Sequence, residues 1–329
     1  MPFRRGSQRG RASDVPPAAA RPGHSMRGFT PSWLCGAMAL WHDTGMTPFP
    51  RSALAACAAL VLASASQAAP PGVSEWSSGL HASVRLVDGG PGAEGTRKAG
   101  IEIRLDPHFK TYWRTPGDSG LPPSFDWSAS DNVKSVDVLW PAPERFQDPA
   151  GFSLGYKGQV VLPLRVTTTE HGKPATLLLK LDYAVCEQIC IPVHGEAALP
   201  LGGPLAPFAD LVAEAEKRVP TPAAMGEGAP PVLAAVRQDG DALRVTAALE
   251  PGAPTDLFVE GDNADWIFGA PAVLSDQTAG GVRRVEMRIP VDSRPPDAKL
   301  AGQALTLTLK NGDKAVEVRT RLDAEVKPH

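Results

Sequence analysis

Between Thr176 and Val185, the residues Leu177, Leu179, Leu181, Tyr183 and Val185 fall on one face, with Lys180 and Asp182 on the other. A period of two places successive side chains on opposite sides of an extended backbone. It does not fit a helix, whose apolar positions recur every three or four residues. The same alternation appears at Leu80, Ala82, Val84 and Leu86, at Ile101, Ile103 and Leu105, and over Gln159–Thr168. Further along, Leu243–Leu249, Asp256–Glu260, Val282–Ile289, Leu305–Leu309 and Ala315–Leu322 read as strands, and Asn311-Gly312 is the tight hairpin turn expected between the last two. The 34 prolines and 32 glycines divide the chain into short pieces. Long irregular loops are expected over Asp106–Pro123 and Trp140–Gly158. Only Pro207–Arg218 reads as a helix: Phe208, Leu211, Val212 and Ala215 stand at helical spacing, and Pro220 and Pro222 end it.

The expected fold class is all-β: tandem immunoglobulin-like β-sandwiches over 72–201 and 232–329, joined by a Pro/Gly-rich linker, 202–231, that holds one short helix. A chain of 329 residues has room for two such domains. The formal net charge is -3 and basic residues are dispersed, so nucleic acid is not the expected partner. No Gly-rich phosphate loop, paired zinc-type CxxC, GxSxG or HExxH is present, and no cofactor is expected.

Residues 1–45 are rich in Arg, Gly, Pro and Ser without sustained periodicity, and are expected to be an unstructured or misassigned extension. From Met46, the expected true start, the chain reads as a secretory signal over 46–69. Arg51 gives a positive n-region, Ser52–Ala65 a short apolar stretch, and small residues allow cleavage near Ala68 or Ala69. That stretch falls short of the roughly 20 residues of a membrane span. Leu54-Ala55-Ala56-Cys57 resembles a lipoprotein cleavage box, but the apolar run continues past Cys57, so a periplasmic protein freed from its signal is preferred to a lipid-anchored one.

Four cysteines are encoded, and Cys35 and Cys57 lie in the segment expected to be removed. Cys186 and Cys190 remain, in an oxidising compartment. Fully extended, four residue steps separate their Cα atoms by roughly 13 Å, whereas a disulfide spans about 4.4–6.8 Å. If the bond forms, Glu187–Ile189 must turn, and the pair sits at a tip between two strands. Closing so small a loop stabilises by only about 2 kcal/mol, against about 4.7 kcal/mol for a 100-residue loop. Exchange chemistry is therefore preferred, with Cys186 taken as the sulfur that pairs with a partner. A structural disulfide and a Cu(I) or zinc site using Cys186, Cys190 and His194 stay open. Asp182 and Glu187 flank the pair with no Lys or Arg between the cysteines, so nothing local lowers a thiol pKa strongly. The pair reads as a disulfide awaiting attack, or as a dithiol handing electrons on.

At these residues the sequence resembles a family. Trp140-Pro-Ala-Pro-Glu-Arg-Phe146, Gly155-Tyr156-Lys-Gly-Gln-Val-Val-Leu-Pro163, Tyr183-Ala-Val-Cys186-Glu-Gln-Ile-Cys190-Ile-Pro192 and the stretch Tyr112–Gly120 are similar to the N-terminal periplasmic domain of the thiol:disulfide interchange protein DsbD and of the related copper-sensitivity suppressor proteins. The resemblance runs from about Val84 to Leu201. It implies an immunoglobulin-like sandwich with a redox dithiol, relaying electrons from a membrane-embedded donor to periplasmic thioredoxin-like proteins in disulfide reduction, cytochrome c maturation or copper tolerance. It also implies a cap loop whose aromatic shields the cysteines. Phe146 is the best match for that aromatic, with Phe152 as the alternative and core packing as the competing reading; Tyr156, Tyr183 and Pro192 support the pair. The CxxxC spacing is narrower than in the best-known members. No membrane domain, thioredoxin-like domain or CxxC is present, so the donor is expected on a separate chain. A non-catalytic binding or assembly module is the other reading.

Overall fold

The computed structural model describes residues 70–118, 120–148, 151–203 and 206–323, so the readings made on 1–69 lie outside the described residues. The first sandwich has two sheets. One orders β1 (Ser77–Gly79), β2 (Ala82–Pro91), β3 (Arg97–Leu105), β9 (Gln159–Thr168) and β6 (Val133–Val138). The other orders β11 (Cys190–Leu201), β10 (Ala175–Cys186), β4 (Lys110–Gly117), β8 (Gly151–Lys157) and β7 (Glu144–Asp148), with β5 (Ser124–Asp126) also on β10. The alternating residues named above line the space between them: Val84, Leu86, Ile101, Leu162, Leu177, Leu179 and Leu181 are all at most 2 % exposed. Burying each such side chain stabilises by about 1.5–3 kcal/mol, which fixes the register, since a one-residue slip would turn every one of them to solvent.

The second sandwich pairs β12 (Thr221–Pro222), β20 (Lys314–Arg321), β19 (Ala304–Asn311) and β15 (Thr255–Glu260) in one sheet. The other holds β13 (Val232–Gln238), β14 (Ala242–Leu249), β18 (Val282–Ser293) and β16 (Ile267–Phe268), with β17 (Ala272–Ala279) also on β18. Its own core gathers Leu243, Val245, Leu257, Ile289, Leu307 and Leu309. The helix α1 (Ala209–Glu216) lies within the expected span and buries Val212 and Ala215. It packs on β2, β3 and β9 rather than hanging between the sandwiches.

Several sequence expectations are corrected. The stretches read as irregular loops hold β4 in one case and β7 and β8 in the other. Leu80, read as a strand residue, is 58 % exposed ahead of β2. The final hairpin pairs Asn311 with Lys314, so its turn is Gly312-Asp313, one residue later than expected. Gly312 takes the positive φ of 63° there.

Candidate redox site

The β10–β11 hairpin sets the cysteine geometry. Its strands stay in register from Ala175↔Leu201 to Cys186↔Cys190, and Glu187–Ile189 form the exposed turn. Directly opposed residues of an antiparallel ladder have Cα atoms about 4.5–5.5 Å apart, inside the range a disulfide bridges. The reversal thus removes the roughly 13 Å separation of the extended chain. Both are free cysteines, Cys186 buried and Cys190 exposed. Beside Cys190, Ile189 is 76 % exposed, so the tip presents an apolar side chain together with the outer sulfur.

Register also places the neighbours. Cys186 pairs with Lys110 on β4, and Lys110 pairs with Lys157 on β8. Opposed side chains share a face, so Cys190, Cys186, Lys110 and Lys157 form a row across the sheet, on the side away from the core. Tyr112 lies one pleat along, packed with Ala184 and Cys186, and its hydroxyl is 3.0 Å from Cys190 Sγ. Thr111 Oγ1 donates to the Ala184 carbonyl at 2.9 Å, tying β4 to the cysteine strand.

Burial pushes the Cys186 thiol up, and its contact with Cys190 acts in the same sense; the Tyr112 hydroxyl and the Lys110 ammonium pull it down without prevailing. Tyr112 itself is raised far above the ordinary tyrosine range, first by burial and then by the two sulfurs. Its hydroxyl therefore keeps its proton, and remains a donor, wherever the dithiol reacts. Sequence reasoning assigned no role to Lys110 or Tyr112. Tyr112 heads the Tyr112–Gly120 stretch that carried part of the resemblance, but a segment read as loop gave no sign that it lies beside the cysteine strand.

The expected cap segment is a β-hairpin, with Phe146 opposite Ser153 and Gln147 opposite Phe152. The half-buried Phe146 ring lies 4.6 Å from Lys157 Nζ and 5.5 Å from Lys110 Nζ. It lies over the two lysines that continue the cysteine row, a cation–π arrangement. Phe152 is 6 % exposed and belongs to the core. Tyr156 is buried in the same core and donates to the Pro141 carbonyl at 2.8 Å. Tyr183 points to the core side of β10, opposite the sulfurs, and burial pushes its hydroxyl up to about 12. Pro192 is exposed on β11, opposite Ala184, where the missing N–H suits an edge strand. Phe146→Ala is expected to raise the alkylation rate of the reduced dithiol several-fold while costing less than the about 3–5 kcal/mol of a fully buried Phe. Alkylation kinetics and a urea midpoint check this; an unchanged rate with a large loss of stability assigns Phe146 to packing alone.

His194 stands four residues along β11 from Cys190, roughly 13 Å away. Hydrogen bonds to Asp182 at 2.8 Å and Glu196 at 3.3 Å hold it and raise its pKa, that to Asp182 first. It is not drawn toward the sulfurs, and among the described residues no group of three or more His, Cys, Asp or Glu is placed to hold a metal ion.

Fold and site together define the class: an all-β, immunoglobulin-like protein with a cross-strand cysteine pair at a hairpin tip. Residues 86–201 match the family described as thiol:disulfide interchange protein DsbD, N-terminal, so the resemblance is borne out over that segment. Residues 218–325 match a domain of unknown function, DUF8393. Among solved structures, the N-terminal periplasmic domain of ScsB from Proteus mirabilis is similar, with a TM-score of 0.61 and 22 % identity, over 78 % of this chain and 100 % of that one. At that identity the likeness establishes the fold, over a span longer than either sandwich alone. No curated protein matches the chain.

Proposed function

We propose that this chain is a periplasmic thiol–disulfide exchange protein. It passes electrons through Cys186 and Cys190 between a membrane-embedded donor on a separate chain and thioredoxin-like partners. The observation that carries this reading is the asymmetry of the pair, one sulfur at the surface and the other buried directly across from it. The family match and the periplasmic relative support it. Export rests on the signal read over 46–69; among the described residues no helix is long and apolar enough to cross a membrane.

In the reducing direction, Cys190 loses its proton and its thiolate attacks one sulfur of a partner disulfide. The other partner sulfur leaves as a thiolate and takes up a proton. Cys186 then loses its proton and attacks the Cys190 sulfur, and the first partner sulfur leaves and is protonated. The partner has gained two electrons and two protons, and the chain holds a Cys186–Cys190 disulfide. A dithiol of the donor reverses these steps. As a staple the bond would add little, because the hairpin is already paired along the whole of both strands.

Trapping tests the proposal. Cys186→Ala leaves the exposed Cys190 with no second thiol to resolve a mixed disulfide, so a covalent complex with a thioredoxin-like protein is expected to accumulate. Cys190→Ala leaves only the buried sulfur and is expected to trap little, the reverse of the order favoured from sequence, because burial was invisible there. If both variants fold and neither traps a partner, the binding-module reading takes its place.

A further inference from the structure

Strand β4 divides into two functional halves. Lys110, Thr111 and Tyr112 meet the cysteine hairpin, as described above. The next three residues meet the second sandwich. The Trp113 ring lies 5.9 Å from that of Phe258 on β15. Arg114 forks onto Glu260 at 2.9 and 2.6 Å and reaches Glu317 on β20 at 2.6 Å. Thr115 Oγ1 donates to Glu260 at 2.6 Å. The two halves are joined by an irregularity: Tyr112 pairs with Gly155, but the next β4 partner on β8 is Gly117 with Ser153. Five steps on one strand face two on the other, so the bulged residues have no ladder of their own to hold them.

We propose that Arg114 is a positioning residue for the dithiol: the second sandwich, gripping it through Glu260 and Glu317, fixes the bulge and thereby the place of the Tyr112 hydroxyl beside Cys190. The side chains of Glu260 and Glu317 are only 12 % and 11 % exposed, so the fork is shielded from solvent and geometrically stiff. Tyr112 is two residues from Arg114 on an extended backbone, too close for a shift at one to leave the other in place. This assigns the second sandwich a task at a site it does not touch. The inference rests on the dithiol being the reacting centre, but not on which protein docks there.

The test is the pH profile of alkylation by iodoacetamide of the reduced full-length protein. It compares wild type, Arg114→Ala, Tyr112→Phe and the double variant. Removing the Tyr112 hydroxyl takes a donor from the thiolate, so Tyr112→Phe is expected to move the profile to higher pH and slow the neutral-pH rate. Arg114→Ala is expected to move it in the same direction, slowing the neutral-pH rate roughly three- to tenfold, the size of one displaced hydrogen bond. The double variant is expected to move no further than Tyr112→Phe, because the arginine acts through the tyrosine. A merely structural Arg114 would lower the urea midpoint and leave the profile in place, and that result overturns the proposal. So does a shift that adds in full to that of Tyr112→Phe. Should Arg114→Ala fail to fold, Glu317→Gln removes one leg of the grip; it is expected to give a smaller shift of the same sign, and an unmoved profile again overturns the inference. Because no partner is present, failure of the trapping experiment would leave this result standing, and the reverse also holds.

Discussion

Trp113→Ala is expected to cost about 3–5 kcal/mol of stability, the range for truncating a large buried aromatic. Trp113 is fully buried, packs against Phe258 of the second sandwich and lies under the Arg114 guanidinium at 4.6 Å. Its truncation therefore opens a cavity where the two sandwiches meet. The indole Nε1 is buried without a hydrogen-bond partner among the described residues, and an unsatisfied buried donor costs about 1–3 kcal/mol. Trp113→Phe removes that donor while keeping most of the volume, so it is expected to cost less than about 1.5 kcal/mol. Urea denaturation of the two variants checks the pair of values. Equal losses for both would mean that the indole nitrogen has a partner the packing does not reveal.

Gly155→Ala is expected to be worse than ordinary overpacking, which costs about 1–3 kcal/mol. A Cβ at Gly155 would lie 1.9 Å from the Thr111 carbonyl oxygen and 3.0 Å from the Tyr112 Cα. The atoms in the way are backbone, which cannot rotate aside as a side chain can. Strand β8 would have to move away from β4, breaking the Tyr112↔Gly155 pairing and carrying Tyr112 off the sulfurs. The expected outcome is a loss above about 3 kcal/mol together with slower alkylation of the reduced dithiol at neutral pH. A variant with the urea midpoint and alkylation rate of the wild type would show that the two strands are not held this closely in solution.

The β9 and β10 strands, β14, β15, β18, β19 and β20 of the second sandwich, and the helix were legible because their apolar residues repeat at the spacing their geometry demands. The cysteine pair was legible for another reason: a turn of three residues is the shortest path between the two sulfurs, and the hairpin supplies it. Strands β4, β7 and β8 were not legible. Lys110–Gly117 carries both Lys110 and Trp113 into buried positions, so no alternation marks it. Phe146 and Phe152 looked equivalent as candidate shields, yet opposite faces of one hairpin sent Phe152 into the core and Phe146 onto Lys157 and Lys110.

By itself, then, the sequence determined local matters: extended or helical backbone, a turn between two cysteines, and the residues of a family motif. Only the tertiary structure decided which sulfur is exposed, that Tyr112 and Lys110 stand beside the pair, and that Arg114 is held by Glu260 and Glu317. Each of these depends on the register between strands far apart in the chain. Register follows from burying whole apolar faces at once, a property of the assembled sheets that no short window of residues contains.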